Sequence, residues 1–228
     1  MSAIPKDPAA EQSRDRLLMA ALRLFAEQGF AKTSTREIAQ AAGANVAQIR
    51  YYFGDKAGLY RAAFVEPLGS PQDDIPRFAQ PHFSLRESLE GFLGAILEPM
   101  KQGELVQQCM RLHFREMLEP TGLWAQELEQ GIKPAHAALV DVLARHLQLR
   151  KADDELHRLA FAITGLALQL FMCKDVLTAI RPQLVATPAA IDTAVQRLAD
   201  YATALVEAEA ARRKHLGTKT NKGRKTAA

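Results

Sequence analysis

Residues 33–56 read TSTREIAQAAGANVAQIRYYFGDK, and the start and stop signals in this stretch decide the fold. Ser34 followed by Glu37 has capping-box spacing, in which hydroxyl and carboxylate each satisfy an orphan backbone donor and begin a helix. Gly43 supplies a left-handed stop. Asn45 caps a second helix with Gln48 at its third position, and Gly54-Asp55 repeats the stop-and-cap sequence before Lys56. Between Gly43 and Asn45 there is room only for a turn, so the two helices cross at a large angle. This is the plan of a helix-turn-helix.

Within the second helix the faces separate by spacing. Ile49 and Phe53, four apart, are read as the inward side, while Val46 with Arg50 and Ala47 with Tyr51 lie on another face. A cation, a phenol and two small apolar groups suit a DNA groove: Arg takes a guanine edge or a phosphate, Tyr a phosphate, and small apolar groups a thymine methyl. Composition alone also fits an ordinary surface helix.

From about Ser13 to Phe64 the chain resembles the N-terminal domain of the TetR/AcrR family of transcription regulators. The resemblance is carried by LFAEQGFAKTSTREIAQAAGANVAQIRYYFGDKAGLY, with Gly29-Phe30, the Thr-rich cap, Ile38-Ala39, Ala42-Gly43, the Tyr-Tyr-Phe run and Lys56-x-x-Leu59-Tyr60 all in register. It implies that Thr35 and Arg36 touch phosphate and at times a base. It further implies that Asn45, Val46, Ala47, Gln48, Tyr51 and Tyr52 are recognition-helix contacts, and that Lys56 binds phosphate at the next helix start. At position 50 the family usually carries an aromatic; Arg50 departs from that, which alters the expected operator more than the mode of binding.

The whole chain has 228 residues, 48% apolar and 24% charged, a globular composition with room for a sizeable core. Cys109 and Cys173 are far apart and no metal-ligand pattern surrounds them, so they are expected to be reduced thiols. No secretory leader is visible in MSAIPKDPAA, and the longest apolar run, residues 159–172, is shorter than a membrane span. A cytoplasmic protein without a membrane segment is expected. The net charge of +3 divides unevenly: residues 1–61 hold nine Lys/Arg against six Asp/Glu, residues 62–211 thirteen against twenty, and residues 212–228 seven against none. A basic head and tail flanking an acidic middle suit DNA at one end and another partner in the body.

These signals predict an all-α protein: a mobile arm over 1–10, a helix-turn-helix domain over 11–66, a helical domain over 84–213 for which the family resemblance implies effector binding and dimerisation, and a basic disordered tail over 214–228 that adds sequence-independent affinity for DNA. The first helix begins between Pro8 and Ser13 and runs to Gln28 on a stripe of Leu17, Leu18, Ala21, Leu24 and Phe25. Arg14 and Arg16 near its start are phosphate contacts or solvated surface. In the body, Ser84 with Glu87 opens a helix, a second covers ELVQQCMRLHFREML, and a long one spans 123–149 with a kink or break at Pro134. The last two cover 153–179 and 187–213.

Those last two resemble the family's usual dimer interface. Leu159, Ile163, Leu166 and Leu170 on one, with Ile191, Val195, Leu198, Tyr201 and Leu205 on the other, are the candidate contacts of a homodimer; the same residues would equally serve the chain's own core. The segment FREMLEPTGLWAQELEQGIKPAHAALVDVL is loosely similar to the C-terminal domain of a TetR subgroup related to the regulator CecR. Family bodies commonly enclose a small-molecule effector, for which His113, Phe114, Met117, Trp124, Phe161, Gln169, Phe171 and Met172 are candidate pocket walls, although such a stripe also describes plain core. The six histidines lack paired-ligand spacing, and neither GxSxG nor a glycine-rich phosphate loop occurs, so no enzyme, metal or cofactor is expected. His113, Arg115 and Glu116 sit close in sequence and are read either as a polar site or as satisfied structure. The function expected is a repressor that binds a palindromic DNA operator and is released by a small molecule; the alternative is a ligand-binding or scaffold protein without specific DNA binding.

Overall fold

The computed structural model describes residues 8–225, with side chains described over 9–215; the 1–7 part of the expected arm lies outside them. No strand occurs among the described residues. Tertiary packing divides the chain into two compact units, one formed by the chain up to Ser70 with Gln102–Glu129, the other by Pro71–Lys101 with Gln130 onward.

The first unit holds α1 (Pro8–Lys32), α2 (Thr35–Ala41), α3 (Val46–Phe53), α4 (Lys56–Val65), α6 (Glu104–Leu118) and the short α7 (Leu123–Glu127). α1 passes through a kink at Gly29, where φ is 82° and ψ 168°, a backbone region open to glycine. Beyond the kink Thr33, 1% exposed, donates its hydroxyl to the Gly29 and Leu24 carbonyls at 2.8 and 3.2 Å and so turns the chain into α2. The two capping boxes predicted in this unit are formed, Ser34 with Glu37 and Asn45 with Gln48, and Asp55 caps α4 by accepting from the Gly58 N–H at 2.7 Å. Leu17, Leu22, Phe25, Ile38, Ile49, Leu59 and Phe64 close one apolar core, and Cys109 and Leu112 of α6 join it. Each such fully buried side chain contributes about 1.5–3 kcal/mol of apolar burial. A helical stripe tells that a helix is buried and leaves open what covers it, which is why α6 reads as part of the body in sequence and packs here with the head.

The second unit holds α5 (Leu85–Leu97), α8 (Lys133–His146), α9 (Asp154–Met172), α10 (Lys174–Ile180) and α11 (Pro188–Lys225), with a 3₁₀ turn over Pro71–Arg77. Its core joins Leu89, Leu93 and Leu97 of α5, Leu139 and Leu143 of α8, Leu156, Ala160 and Ile163 of α9, and Ile191, Ala199 and Ala202 of α11. The expected long helix over 123–149 is interrupted by a wide π turn at Leu128–Ile132, and Pro134 sits in the first turn of α8, where its missing N–H costs no bond. The helix expected over 153–179 ends at Met172, and α10 leaves it at 69°. That bent pair meets the length and hydropathy of a span, while no single helix among the described residues is long and apolar enough to cross a membrane. α11 carries on to Lys225 through the stretch where a disordered tail is expected; up to Arg213 it is filled by Ala, Glu and Arg, good helix formers, and there Glu209 pairs with Arg212 and Arg213 at 2.7 and 2.6 Å.

Candidate nucleic-acid interface

α3 is eight residues long, too short to be stable alone, and is held by its cap and by one buried side chain, Ile49 at 2% exposure. Around that anchor the predicted contacts fall into groups. Asn45, Val46, Ala47, Arg50 and Tyr51 face solvent, with Tyr51 82% and Val46 41% exposed. Arg36 on α2 is exposed as well, with Thr35 half-buried beside it. Neither Arg36 nor Arg50 has a hydrogen-bond or ion-pair partner among the described residues. Two guanidiniums and a phenol left uncommitted around a rigid helix form a surface that a polyanion can take without breaking anything.

Gln48, Tyr52 and Lys56 are already engaged. Gln48 Oε1 accepts the Asn45 N–H at 3.0 Å, and its amide donates to Ser13 Oγ at 3.1 Å, tying α3 to α1. Tyr52 is half-buried, edge-on to Tyr51 and Phe53 at 5.0 and 6.2 Å. Lys56 holds its ammonium 4.4 Å from the Phe30 ring centroid, a cation–π contact that orients it at the start of α4. Its charge adds to the hydrogen bonds from Ser34 that hold the Glu37 carboxyl below its usual range. Arg14 is paired with Glu66 at 2.7 Å and lies 4.9 Å over Phe53, so it braces α1 against α4. Ser13, Phe30, Phe53 and Glu66 thus position the interface without being legible as such: their partners lie up to 52 residues away, beyond any spacing rule.

The other candidates divide between the units. His113 stacks on Phe64 at 4.1 Å with Nδ1 2.8 Å from the Cys109 carbonyl, burial depresses its basicity, and Trp124 packs against the same core. Cys109, 1% exposed, has its thiol pushed up to about 12 by burial. Phe114 is half-buried and Met117 exposed in that unit; Phe161, Gln169, Phe171 and Met172 belong to the other. An open groove in the first unit is lined by Gln12, Arg16, Met19, Arg23, Glu104 and Gln108, none of them a predicted pocket residue. No cluster of three or more metal-ligating side chains occurs among the described residues.

Of the predicted dimer contacts, Leu159, Ile163 and Ile191 are at most 9% exposed and fill the core of their own unit, with Leu166, Leu170, Val195 and Leu198 packed partly against it. Tyr201 and Leu205 face outward at 57% and 37% exposure, joined by Phe161, Leu168 and Met172 of α9 at 65%, 38% and 64%. Phe161, Gly165, Leu168 and Met172 recur at intervals of four, three and four, and Leu198, Tyr201, Leu205 and Ala208 at three, four and three. That is the spacing of a helix–helix seam. Phe161 is held flat against His136, ring centroids 4.4 Å apart.

A capped helix pair with an uncommitted basic and aromatic face is the helix-turn-helix head of a DNA-binding regulator class. The model of the tetR family of bacterial regulatory proteins matches residues 17–63, and that of the C-terminal domain of the HTH-type transcriptional dual regulator CecR matches residues 85–208, over half the chain. The chain belongs to the TetR family, with a body of the CecR type.

CecR of Shigella flexneri is 35% identical over 145 residues, 59% of this chain and 64% of that protein, so the match spans less than two thirds of the relative's length. AcrR of Shigella flexneri is 45% identical over 51 residues, covering 22% of this chain and 24% of its own. Among solved structures, the TetR family regulator PfmR from Thermus thermophilus superposes with a TM-score of 0.60 at 17% identity, covering 82% of this chain and 97% of that one. A TetR-like regulator from Rhodococcus sp. RHA1 superposes at 0.55 with 18% identity, covering 87% and 96%. At these identities the superpositions establish the fold.

Proposed function

We propose that this chain is a DNA-binding transcriptional regulator of the cytoplasm that acts as a homodimer, seating α3 of each copy in the major groove of a palindromic operator. The observation that carries the reading is the division of labour on α3. Gln48 and Ile49 are spent on holding the helix, while Ala47, Arg50 and Tyr51 are exposed and Arg50 is uncommitted. Arg50 is suited to a guanine edge, Val46 and Ala47 to a thymine methyl, and Lys56, Arg36 and Tyr51 to phosphates on either side.

Dimerisation is supported by the outward seam of α9 and α11, whose exposed aromatic and aliphatic groups are a poor match to water. A single short helix binds DNA weakly, and two heads spaced by a helical turn bind selectively. Repression is the sign favoured, because a dimer seated across a promoter blocks polymerase with no further contact. Release by a small molecule is the control proposed, as in other members of the family.

Fluorescence anisotropy with a site selected from random DNA tests this. The expected result is salt-sensitive binding with a Kd on the order of 10⁻⁸ M, at least a thousandfold tighter than to unrelated DNA. Equal affinity for all sequences at micromolar protein overturns it.

A further inference from the structure

The helix-turn-helix is entered through the last turn of α1 and left through α4, and two consecutive residues of α6 reach both. Arg115 Nη2 donates to the Glu27 carbonyl at 3.1 Å, and Nη1 lies against the Gly29 kink so closely that a Cβ there would stand 3.1 Å from it. Glu116 points the other way. One of its oxygens accepts the Tyr60 hydroxyl of α4 at 2.8 Å. The other accepts the Thr121 N–H and hydroxyl at 2.8 and 2.9 Å, the Leu123 N–H at 3.0 Å and the Trp124 N–H at 3.4 Å, closing the turn into α7.

Glu116 is the one charged side chain that is buried among the described residues, at 0% exposure. A buried carboxylate is a poor way to add stability, since apolar side chains of equal volume do as well or better. What it adds is direction: donors from α4, Thr121 and the first turn of α7 must all converge on one group, whereas apolar faces can slide. The pose of α4 passes on to α3 through a rigid contact, because a Cβ on Gly58 would stand 2.0 Å from the Phe53 carbonyl oxygen. Tyr60 lies two residues beyond Gly58, with its ring against Phe25 and Phe30 at 4.9 Å each. Burial and the bond to Glu116 raise the basicity of its phenolate well above the usual range, so the hydroxyl keeps its proton and remains a donor.

We propose that Arg115 and Glu116 form a two-pronged clamp on the entry and exit of the helix-turn-helix, and that Tyr60 and Glu116 are positioning residues for DNA recognition. The proposal rests on α3 being the helix that reads DNA. It is tested in the full chain with Tyr60→Phe, which removes one hydroxyl and keeps the ring packing, with Glu116→Gln, and with both together.

Each variant is assayed for operator and unrelated DNA by anisotropy at a temperature where its thermal melt shows it folded. Tyr60→Phe is expected to lose about tenfold in operator affinity with binding to unrelated DNA unchanged, and the double variant to lose less than the product of the single losses. Backbone amides of α3 and α4 should exchange faster in both single variants. A lower melting temperature with wild-type operator affinity would make the network structural only and overturn the clamp. Absence of selective binding by the wild type would instead remove the DNA reading and the clamp's role with it, so the two failures are distinct.

Discussion

Helix α3 presents Arg50 and Tyr51 to water on a scaffold whose ends are fixed by bonds between residues two to four apart, whereas α9 and α11 present Phe161, Met172 and Tyr201 from helices shaped by contacts across the second unit. In the first region the largest exposed groups, Arg50 and Tyr51, end in polar atoms beside the smaller Val46 and Ala47, and the buried groups are few. In the second, apolar groups lie on both sides of the same helix, one set in the chain's own core and the other outward. A polar exposed face can wait for a polyanion at no cost, while an apolar exposed face carries a standing drive toward a partner.

Replacing Gly58 or Gly91 by Ala should separate the two regions most sharply. A Cβ would stand 2.0 Å from the Phe53 carbonyl oxygen in the first case and 2.2 Å from that of Arg77 in the second, both backbone atoms with little room to yield. Each is expected to cost about 3 kcal/mol in thermal unfolding. Gly58→Ala should abolish operator binding and leave self-association intact, whereas Gly91→Ala should abolish self-association and lower operator affinity only as far as loss of the paired head does. Loss of self-association in Gly58→Ala would show that the units do not act separately.

Phe161→Asp with Met172→Asp charges the outward seam without touching the core. Sedimentation should then show a folded monomer, with operator affinity down about 100-fold through loss of the paired head. Arg50→Ala is expected to weaken operator binding by about 2 kcal/mol and to relax selectivity at one base pair per half-site; an equal loss on all sequences would make it a phosphate contact. Ser34→Ala removes a cap and should cost about 1 kcal/mol of stability, with base preference unchanged.

The smallest effect concerns Asp153, whose carboxyl is held well below its usual range by Arg213, bonded at 2.7 and 2.8 Å, and by the Leu156 N–H. A depressed native value means stability that is present above the unfolded carboxylate value and lost as pH falls through the native one. Asp153→Asn should therefore melt slightly below wild type at neutral pH, and the gap should close in strong acid.

The head was legible because its signals are local. Ser34 with Glu37, Asn45 with Gln48 and Gly54-Asp55 announce helix ends within a few residues, and the structure forms each cap. The body's partition was not legible, because Leu159 and Phe161 are both apolar residues on one helix and nothing in their spacing tells which is 9% and which 65% exposed. That depends on where α8 and α11 lie. The same holds for Glu116, whose charge suggests surface and whose burial is made tolerable by donors from α4, Thr121 and α7.

One side chain bears on how such a protein changes its target over evolutionary time. Gln48 closes the cap of α3 and bonds Ser13, so a substitution there disturbs the helix as well as any base it meets. Ala47, Arg50 and Tyr51 carry no such duty. Under the proposed mode of binding, in which Ala47 and Arg50 meet bases and Tyr51 a phosphate, mutational drift can rewrite operator preference at 47 and 50 with little loss of stability, while position 48 is held in place by the fold. Libraries aimed at new DNA targets should randomise 47 and 50 and leave 48 untouched.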